Sequence, residues 1–288
     1  MAFLLKGAPV AQSLSQKIER SCQLLRERGI SPTFGIVRVG ERADDLAYER
    51  GACKRAEKLG VRVERILLPE RVTEGELIRT LEGVNANREI HGCLLFRPLP
   101  PHLDTAAVGK VLLPDKDVDA ITVASMGGLL SNTQVGFAPC TATACLELLR
   151  HYQIPLQGKK IVVIGKSVTV GLPTALLMMN EDATVSVCHI LTAPEDMKRL
   201  CQDANIIISA AGCAGLIRTE HVRPGQVIID VGINVGADGV MRGDVAFDEV
   251  EPIVDAITPV PGGVGAVTST VLIGHAVEAA VRTIPELA

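Results

Sequence analysis

The stretch Lys159-Lys160-Ile161-Val162-Val163-Ile164-Gly165-Lys166-Ser167-Val168-Thr169-Val170-Gly171-Leu172-Pro173 constrains the fold more than any other part of the chain. Ile161 to Ile164 are four consecutive β-branched residues, the pattern of a strand buried on both faces, and the run that follows Pro173 is apolar at helical period. A strand, a glycine-bounded turn and a helix therefore follow one another. A helix start offers unpaired N–H groups and a positive dipole end, so the turn between Gly165 and Gly171 can seat the pyrophosphate of a dinucleotide. The glycine spacing is not G-x-G-x-x-G, and any buried strand-turn-helix unit needs glycines at its turn. The stretch alone leaves both readings open.

The rest of the chain repeats the alternation. Apolar residues recur at helical spacing over 11–28, Ser31-Pro32 breaks the pattern, and Thr33 to Val39 reads as a strand. Residues 43–59 read as a helix ended by Gly60 in a left-handed cap, 61–68 as a strand, 73–85 as a helix and 92–96 as a strand. In the second half a helix over 141–152 precedes the opening strand. The runs 183–188, 204–210 and 226–231 are short and nearly continuously apolar, as inner parallel strands are.

This pattern predicts an α/β protein of two domains, the second a Rossmann-type doubly wound parallel sheet. Pro98-Leu99-Pro100-Pro101 stops the first series of strands, and the polar run 115–119 with the Gly/Ser/Asn-rich passage 125–136 marks the expected hinge. A last glycine-rich stretch, 258–268, precedes a helix over 269–281. It reads either as backbone brought close to a ligand or as a tight turn feeding a helix.

Composition narrows the function classes. A hydrophobic fraction of 47% in 288 residues supplies core for two domains. A net charge of −4, with two tyrosines, five phenylalanines and no tryptophan, argues against a nucleic-acid partner. No apolar run reaches the roughly 18 residues of a membrane span, and the opening Met1-Ala2-Phe3-Leu4-Leu5-Lys6 is too short for a signal peptide, so the expected compartment is the cytoplasm. The eight cysteines show no C-x-x-C pair and read as buried thiols, and no histidine stands at metal-ligand spacing, so no metal site is expected.

Taken in order, Val39-Gly40 with Tyr48, Pro98-Leu99-Pro100, Lys116-Asp117-Val118-Asp119, Pro139-Cys140-Thr141, Gly165-Lys166-Ser167 with Val170-Gly171 and Pro173, Asp230-Val231-Gly232 and the stretch 258–265 resemble one family over almost the whole chain. It is the bifunctional methylenetetrahydrofolate dehydrogenase/methenyltetrahydrofolate cyclohydrolase family of folate one-carbon metabolism. The resemblance implies a catalytic domain of residues 1–120 completed by 270–288, a cofactor domain of 121–269, a folate cleft between them, and a homodimer formed through the cofactor domains. It implies catalytic roles for Tyr48 and Asp119, with Tyr48 stacking on the folate and Asp119 hydrogen-bonding the pterin. Pro98, Leu99, Pro261, Gly262 and Gly263 would complete the substrate site. On the cofactor side it implies Thr141, Gly165, Lys166, Ser167, Val170, Gly171, His189, Ala210, Gly212, Gly232 and Ile233. Lys166 stands where the family usually has arginine, and Ile190 where a serine usually follows the histidine. NADP is therefore the expected cofactor, with NAD possible.

Two departures bear on chemistry. The family's catalytic helix carries Tyr-x-x-x-Lys, and the residue four after Tyr48 is Ala52. Lys54 lies roughly 240° round the helix from Tyr48, and Arg55 shares its face but cannot act as a general base. The family's Gln-Leu-Pro-Leu-Pro reads Phe96-Arg97-Pro98-Leu99-Pro100, so the glutamine that would orient the lysine is absent too. Hydride transfer depends chiefly on alignment, whereas hydrolysis of the methenyl bridge needs acid–base work. The expectation is a dehydrogenase whose cyclohydrolase activity is lost or strongly impaired. Two alternatives stand beside it: a non-catalytic paralogue that binds dinucleotide or folate, and a dehydrogenase for a different anionic substrate.

Overall fold

The computed structural model describes residues 1–236, 238–284 and 286. The chain opens with β1 (Phe3–Leu4), α1 (Gly7–Glu27), β2 (Thr33–Val39), α2 (Ala43–Leu59), β3 (Arg62–Leu68), α3 (Glu74–Ala86) and β4 (Gly92–Leu95). The short α4 (Thr105–Val108), α5 (Val123–Ser131) and α6 (Cys140–His151) follow. Next come β5 (Lys160–Ile164), α7 (Gly171–Asn180), β6 (Thr184–Cys188), α8 (Pro194–Asp203), β7 (Ile206–Ser209) and β8 (Val227–Asp230). The chain closes with β9 (Asn234–Val235), β10 (Met241–Arg242), α9 (Phe247–Val250), β11 (Ala256–Ile257) and α10 (Gly265–Val281). No helix among the described residues is long and apolar enough to cross a membrane.

Two compact units form: Met1–Ala11 with Thr141–Thr268, and Gln12–Cys140 with the chain from Ser269 onward. The first holds a six-stranded parallel sheet in the order β1-β11-β8-β7-β5-β6. Ile161 to Ile164 of β5 are all buried, as their β-branched run predicts, and each contributes on the order of 1.5–3 kcal/mol by leaving water. Val162, Ile164, Ile207, Ile228 and Ile257 meet Cys201, Val222 and Val250 in the core on one side of this sheet. The edge strand β6 differs from the inner strand expected over 183–188. Having one neighbour rather than two, it is only partly covered, and Val187 is exposed.

The second unit is built on the parallel sheet β3-β2-β4. All seven residues of the central β2 are buried. Gly92 opens β4 because a Cβ there would stand 2.4 Å from Val118 Cγ1 and 2.9 Å from Ala276 Cα, so only glycine lets α10 and the segment at Val118 close on the strand. Thr73 and Glu76 form a capping box at the start of α3, and Gly60 ends α2 at φ 69°, as its place after the helix predicts.

The unit boundaries differ from those drawn on the sequence at two segments. Phe3 and Leu4 pair with Ala256 and Ile257, which draws the first residues into the six-stranded sheet. Residues 121–140 stay with the three-stranded unit because the buried Asp117 carboxylate accepts from Ile121 N, Thr122 N and Ser125 Oγ at 2.6–2.9 Å. The expected hinge over 125–136 is in part the helix α5, capped by Thr122 and ended by Asn132 at φ 51°. Its glycines serve packing: a Cβ on Gly136 would lie 2.2 Å from Ser125 Oγ, and one on Gly128 equally close to Val135 O.

Candidate active site

In the six-stranded unit, the turn after β5 is packed so closely that neither of its glycines has space for a Cβ. Gly165 has φ 118°, and a Cβ on it would lie 2.2 Å from Ala210 O; one on Gly171 would lie 2.0 Å from Gly165 O. Backbone thus folds directly on backbone between β5, the end of β7 and the head of α7. Not all N–H groups at that helix start are free, because Ser167 Oγ accepts from Val170 N at 3.2 Å and Gly171 N at 3.3 Å. Lys166 is exposed on this turn and has no ion-pair partner among the described residues. At the end of β6, His189 Nδ1 accepts from Leu191 N, which leaves Ile190 97% exposed.

Two buried carboxylates that the sequence reading gave no role organise the remaining cofactor-side positions. Asp244 Oδ2 accepts from Ser209 Oγ, Ala211 N and Gly212 N, and its Oδ1 accepts from Cys213 N and Asn234 Nδ2, at 2.7–3.2 Å. One side chain therefore fixes the loop that follows Ala210. Asp230 Oδ1 accepts from Gly232 N and Asp244 N, and its Oδ2 from Val245 N, each at 2.9 Å. Burial pushes the Asp230 carboxyl up to about 6, with the three N–H groups pulling it down and Asp244 adding to the rise. Glycine at 232 and 243 is forced, since a Cβ would lie 2.2 Å from Asp244 Oδ1 or 1.9 Å from Asp230 Oδ2. The available signal was a pair of aspartates next to glycines in Asp230-Val231-Gly232 and Gly243-Asp244.

A cavity of about 330 Å³ opens beside these residues, lined by 230–233, Met241 and 259–266. It gathers Gly232 and Ile233, expected on the cofactor side, with Pro261, Gly262 and Gly263, expected on the substrate side. Gly262 sits at φ 105°, and a Cβ on Gly263 would meet Pro259 O at 2.6 Å, so both glycines are required by the backbone.

In the three-stranded unit, α2 turns Asp45, Glu49, Ala52 and Ala56 inward. Ala52 is 1% exposed and Phe96 7%, and the Tyr48 ring meets the Phe96 ring edge-on with centroids 5.9 Å apart. Burial, with Cys140 and Asp119 close by, pushes the Tyr48 hydroxyl above the ordinary phenol range. Tyr48 thus keeps its hydroxyl proton at neutral pH, and the residue as a whole is 40% exposed. Lys54 is exposed on another face, as its angular position predicts.

Asp119 is held by its neighbours. Its Oδ1 accepts from Cys140 N at 2.9 Å, and Arg97 Nη2 lies 3.5 Å from its Oδ2. The segment carrying it is pinned from both ends: Lys116 Nζ donates to the carbonyls of Val84, Asn85 and Asn87 at 2.6–3.1 Å, and His275 Nδ1 lies 2.9 Å from Val118 O. His275 stacks on Phe137, over which Arg282 sits at 4.1 Å, and burial lowers its pKa so that it stays neutral. Cys140 Sγ lies 3.2 Å from Val118 O, its thiol raised well above the usual range by burial and the nearby carboxylates, so it packs and does not react. Pro98 and Leu99 follow Arg97, with Leu99 buried and Pro98 exposed. Behind Tyr48, Arg38 Nε and Glu49 Oε2 form a buried ion pair at 2.6 Å, with Arg65 3.7 Å from the other oxygen. Nothing in the order of residues signals that pair.

Cys53 and Cys213 depart from the expectation of buried thiols, the first partly covered and the second exposed. Among the described residues no group of three or more His, Cys, Asp and Glu side chains stands close enough to hold a metal ion.

A parallel sheet with a glycine cradle at the head of a helix, in a chain with a second α/β unit, is the architecture of an NAD(P)-dependent dehydrogenase. Two family models match successive parts of the chain: the tetrahydrofolate dehydrogenase/cyclohydrolase catalytic domain matches residues 5–119, and the NAD(P)-binding domain of that family matches 139–284. The chain belongs to the tetrahydrofolate dehydrogenase/cyclohydrolase family, enzymes of folate one-carbon metabolism. It is 44% identical over 281 residues to the bifunctional protein FolD of Carboxydothermus hydrogenoformans, which covers 97% of each chain. The crystal structure of the bifunctional FolD of Campylobacter jejuni superposes with a TM-score of 0.95 at 35% identity, over 99% of this chain and 100% of that one. The Trypanosoma brucei dehydrogenase-cyclohydrolase, solved with NADP and an inhibitor, gives 0.91 at 34% identity over 98% of both.

Proposed function

We propose that this protein oxidises 5,10-methylenetetrahydrofolate to 5,10-methenyltetrahydrofolate with NADP, and more weakly with NAD, and that hydrolysis of the methenyl bridge is lost or nearly so. The observation that carries this reading is the apolar patch where the family's lysine and glutamine would meet: Ala52 and Phe96, both buried, beside the Tyr48 ring. General acid–base catalysis typically contributes 10²–10⁴-fold, and neither side chain can move a proton. Joint replacement is physically coherent, because either polar group left alone in a buried site would cost about 1–3 kcal/mol.

The residues fit a dinucleotide. Gly165 and Gly171 let backbone fold on backbone at the helix head, where a phosphate would meet N–H groups; the family resemblance assigns Thr141, Ser167, Val170, His189, Ala210, Gly212, Gly232 and Ile233 to the cofactor with them, and the exposed Lys166 can neutralise a 2′-phosphate. When bound, the nicotinamide supplies the hydride acceptor. The chain's part is to position the folate: Tyr48 offers a ring face and Asp119 acceptors for the pterin, with Pro98 and Leu99 in the same unit. The half-covered edge strand β6, with Val187, Ile190, Leu191 and Met179 exposed, supports a homodimer through the cofactor unit.

Purified protein supplied with methylenetetrahydrofolate and NADP should form methenyltetrahydrofolate that persists, with a slower rate on NAD. No turnover with either nucleotide would refute the dehydrogenase reading.

A further inference from the structure

We infer that Arg97 is a specificity-determining residue which, paired with Asp119, reads the 4-oxo group of the pterin. The inference rests on the folate reading above and adds to it a residue that the family's own pattern does not contain. Arg97 follows β4 and Asp119 belongs to a segment 22 residues later, yet Arg97 Nη2 lies 3.4 Å from Asp119 O and 3.5 Å from Asp119 Oδ2. The contact is more than a solvated surface pair. Both side chains are less than a third exposed, at 23% and 32%, and Cys140 N–H holds the other carboxylate oxygen. Arg42 Nη1 donates to Pro98 O at 3.3 Å and so ties down the residue next to Arg97. Among the described residues, Nε and Nη1 of Arg97 have no acceptor. Three N–H donors of a largely covered guanidinium are therefore free for a ligand.

The chemistry of the ligand edge matches. A 2-amino-4-oxo ring displays, in sequence, an amino donor, a ring N–H donor and a carbonyl acceptor. A carboxylate with a guanidinium beside it displays two acceptors and then donors, the complement in the same order. A 2,4-diamino ring has a donor at the third place, facing a cation with no acceptor to offer, and a site built to hydrogen-bond one group rejects the analogue that lacks it. Phe96 and Ala52, both buried, contribute no donor.

The test is calorimetric affinity for tetrahydrofolate and for its 4-amino-4-deoxy counterpart, measured on the whole protein and on Arg97→Leu, Arg97→Lys and Asp119→Asn, with melting curves to confirm folding. The wild type should prefer the 4-oxo ligand. Arg97→Leu should lose roughly 10- to 100-fold for the 4-oxo ligand, the range for a hydrogen bond to a charged group, and little or nothing for the 4-amino ligand. Arg97→Lys should keep part of the preference, and Asp119→Asn should weaken both ligands. A folded Arg97→Leu or Arg97→Lys protein whose preference equals the wild type's overturns the inference, as does a wild type with no preference. A wild type that binds neither ligand removes the folate reading itself, and this inference with it.

Discussion

The two units of the chain spend their buried polar groups differently. In the six-stranded unit, Asp230 and Asp244 accept from backbone N–H groups of loops that the sheet alone would leave loose, and glycines stand wherever a Cβ would strike those carboxylates. In the three-stranded unit Asp117 likewise holds backbone N–H groups, but there side chains are also bound to side chains, Arg38 to Glu49 and Arg97 to Asp119. Backbone-directed scaffolding holds a generic cofactor and constrains identity at many positions. Side-chain constellations can be exchanged two residues at a time, as we propose for Ala52 with Phe96.

Restoring the exchange should produce the largest effect. The double variant Ala52→Lys with Phe96→Gln is expected to raise methenyl hydrolysis by about 10²-fold or more, and each single variant by far less, in a rate assay on supplied methenyltetrahydrofolate. Equal gains from the single and double variants would show that the two positions do not act as a unit.

On the scaffolding side, Asp244→Ala strands donors from Ser209, Ala211, Gly212, Cys213 and Asn234. Chemical denaturation should register a loss of several kcal/mol, roughly 3–5, together with weaker dinucleotide binding. Glu49→Ala should cost about 3 kcal/mol, because Arg38 would remain buried without its partner; it should leave dinucleotide affinity alone. If Glu49→Ala weakened dinucleotide binding as much as Asp244→Ala does, the contrast between the units would fail.

The smallest effect concerns backbone. Ala120 follows Asp119 at φ 51°, a left-handed conformation that costs a non-glycine residue about 1–2 kcal/mol. Ala120→Gly recovers that strain less the extra chain entropy of glycine, so a stability gain of up to ~1 kcal/mol is expected in a melting experiment.

What could be read from the sequence follows the range of the interactions involved. β2 and β5 were legible because a run of β-branched residues reports burial locally, and Gly60 because a cap is decided within one turn. Asp244 and the Arg38–Glu49 pair were not, since each depends on partners that folding brings in from elsewhere in the chain. The passage 125–136 misled because small residues mark close packing as readily as flexibility; Ser125 is fully buried against Gly136. β6 looked like an inner strand because composition records apolarity and not how many neighbours a strand has. At the candidate site the Tyr48 ring meets Phe96, whereas the hold of Cys140, Lys116 and His275 on the Asp119 segment emerged only from the geometry.

The most direct measurement supplies the unmodified protein with methenyltetrahydrofolate and follows its disappearance against buffer alone, after the same preparation has been shown to reduce NADP with methylenetetrahydrofolate. Hydrolysis indistinguishable from buffer is the result expected of a site that holds Ala52 and Phe96. Hydrolysis as fast as the preparation's own dehydrogenase turnover would contradict it, and would mean that a proton-moving group acts in that site without the lysine.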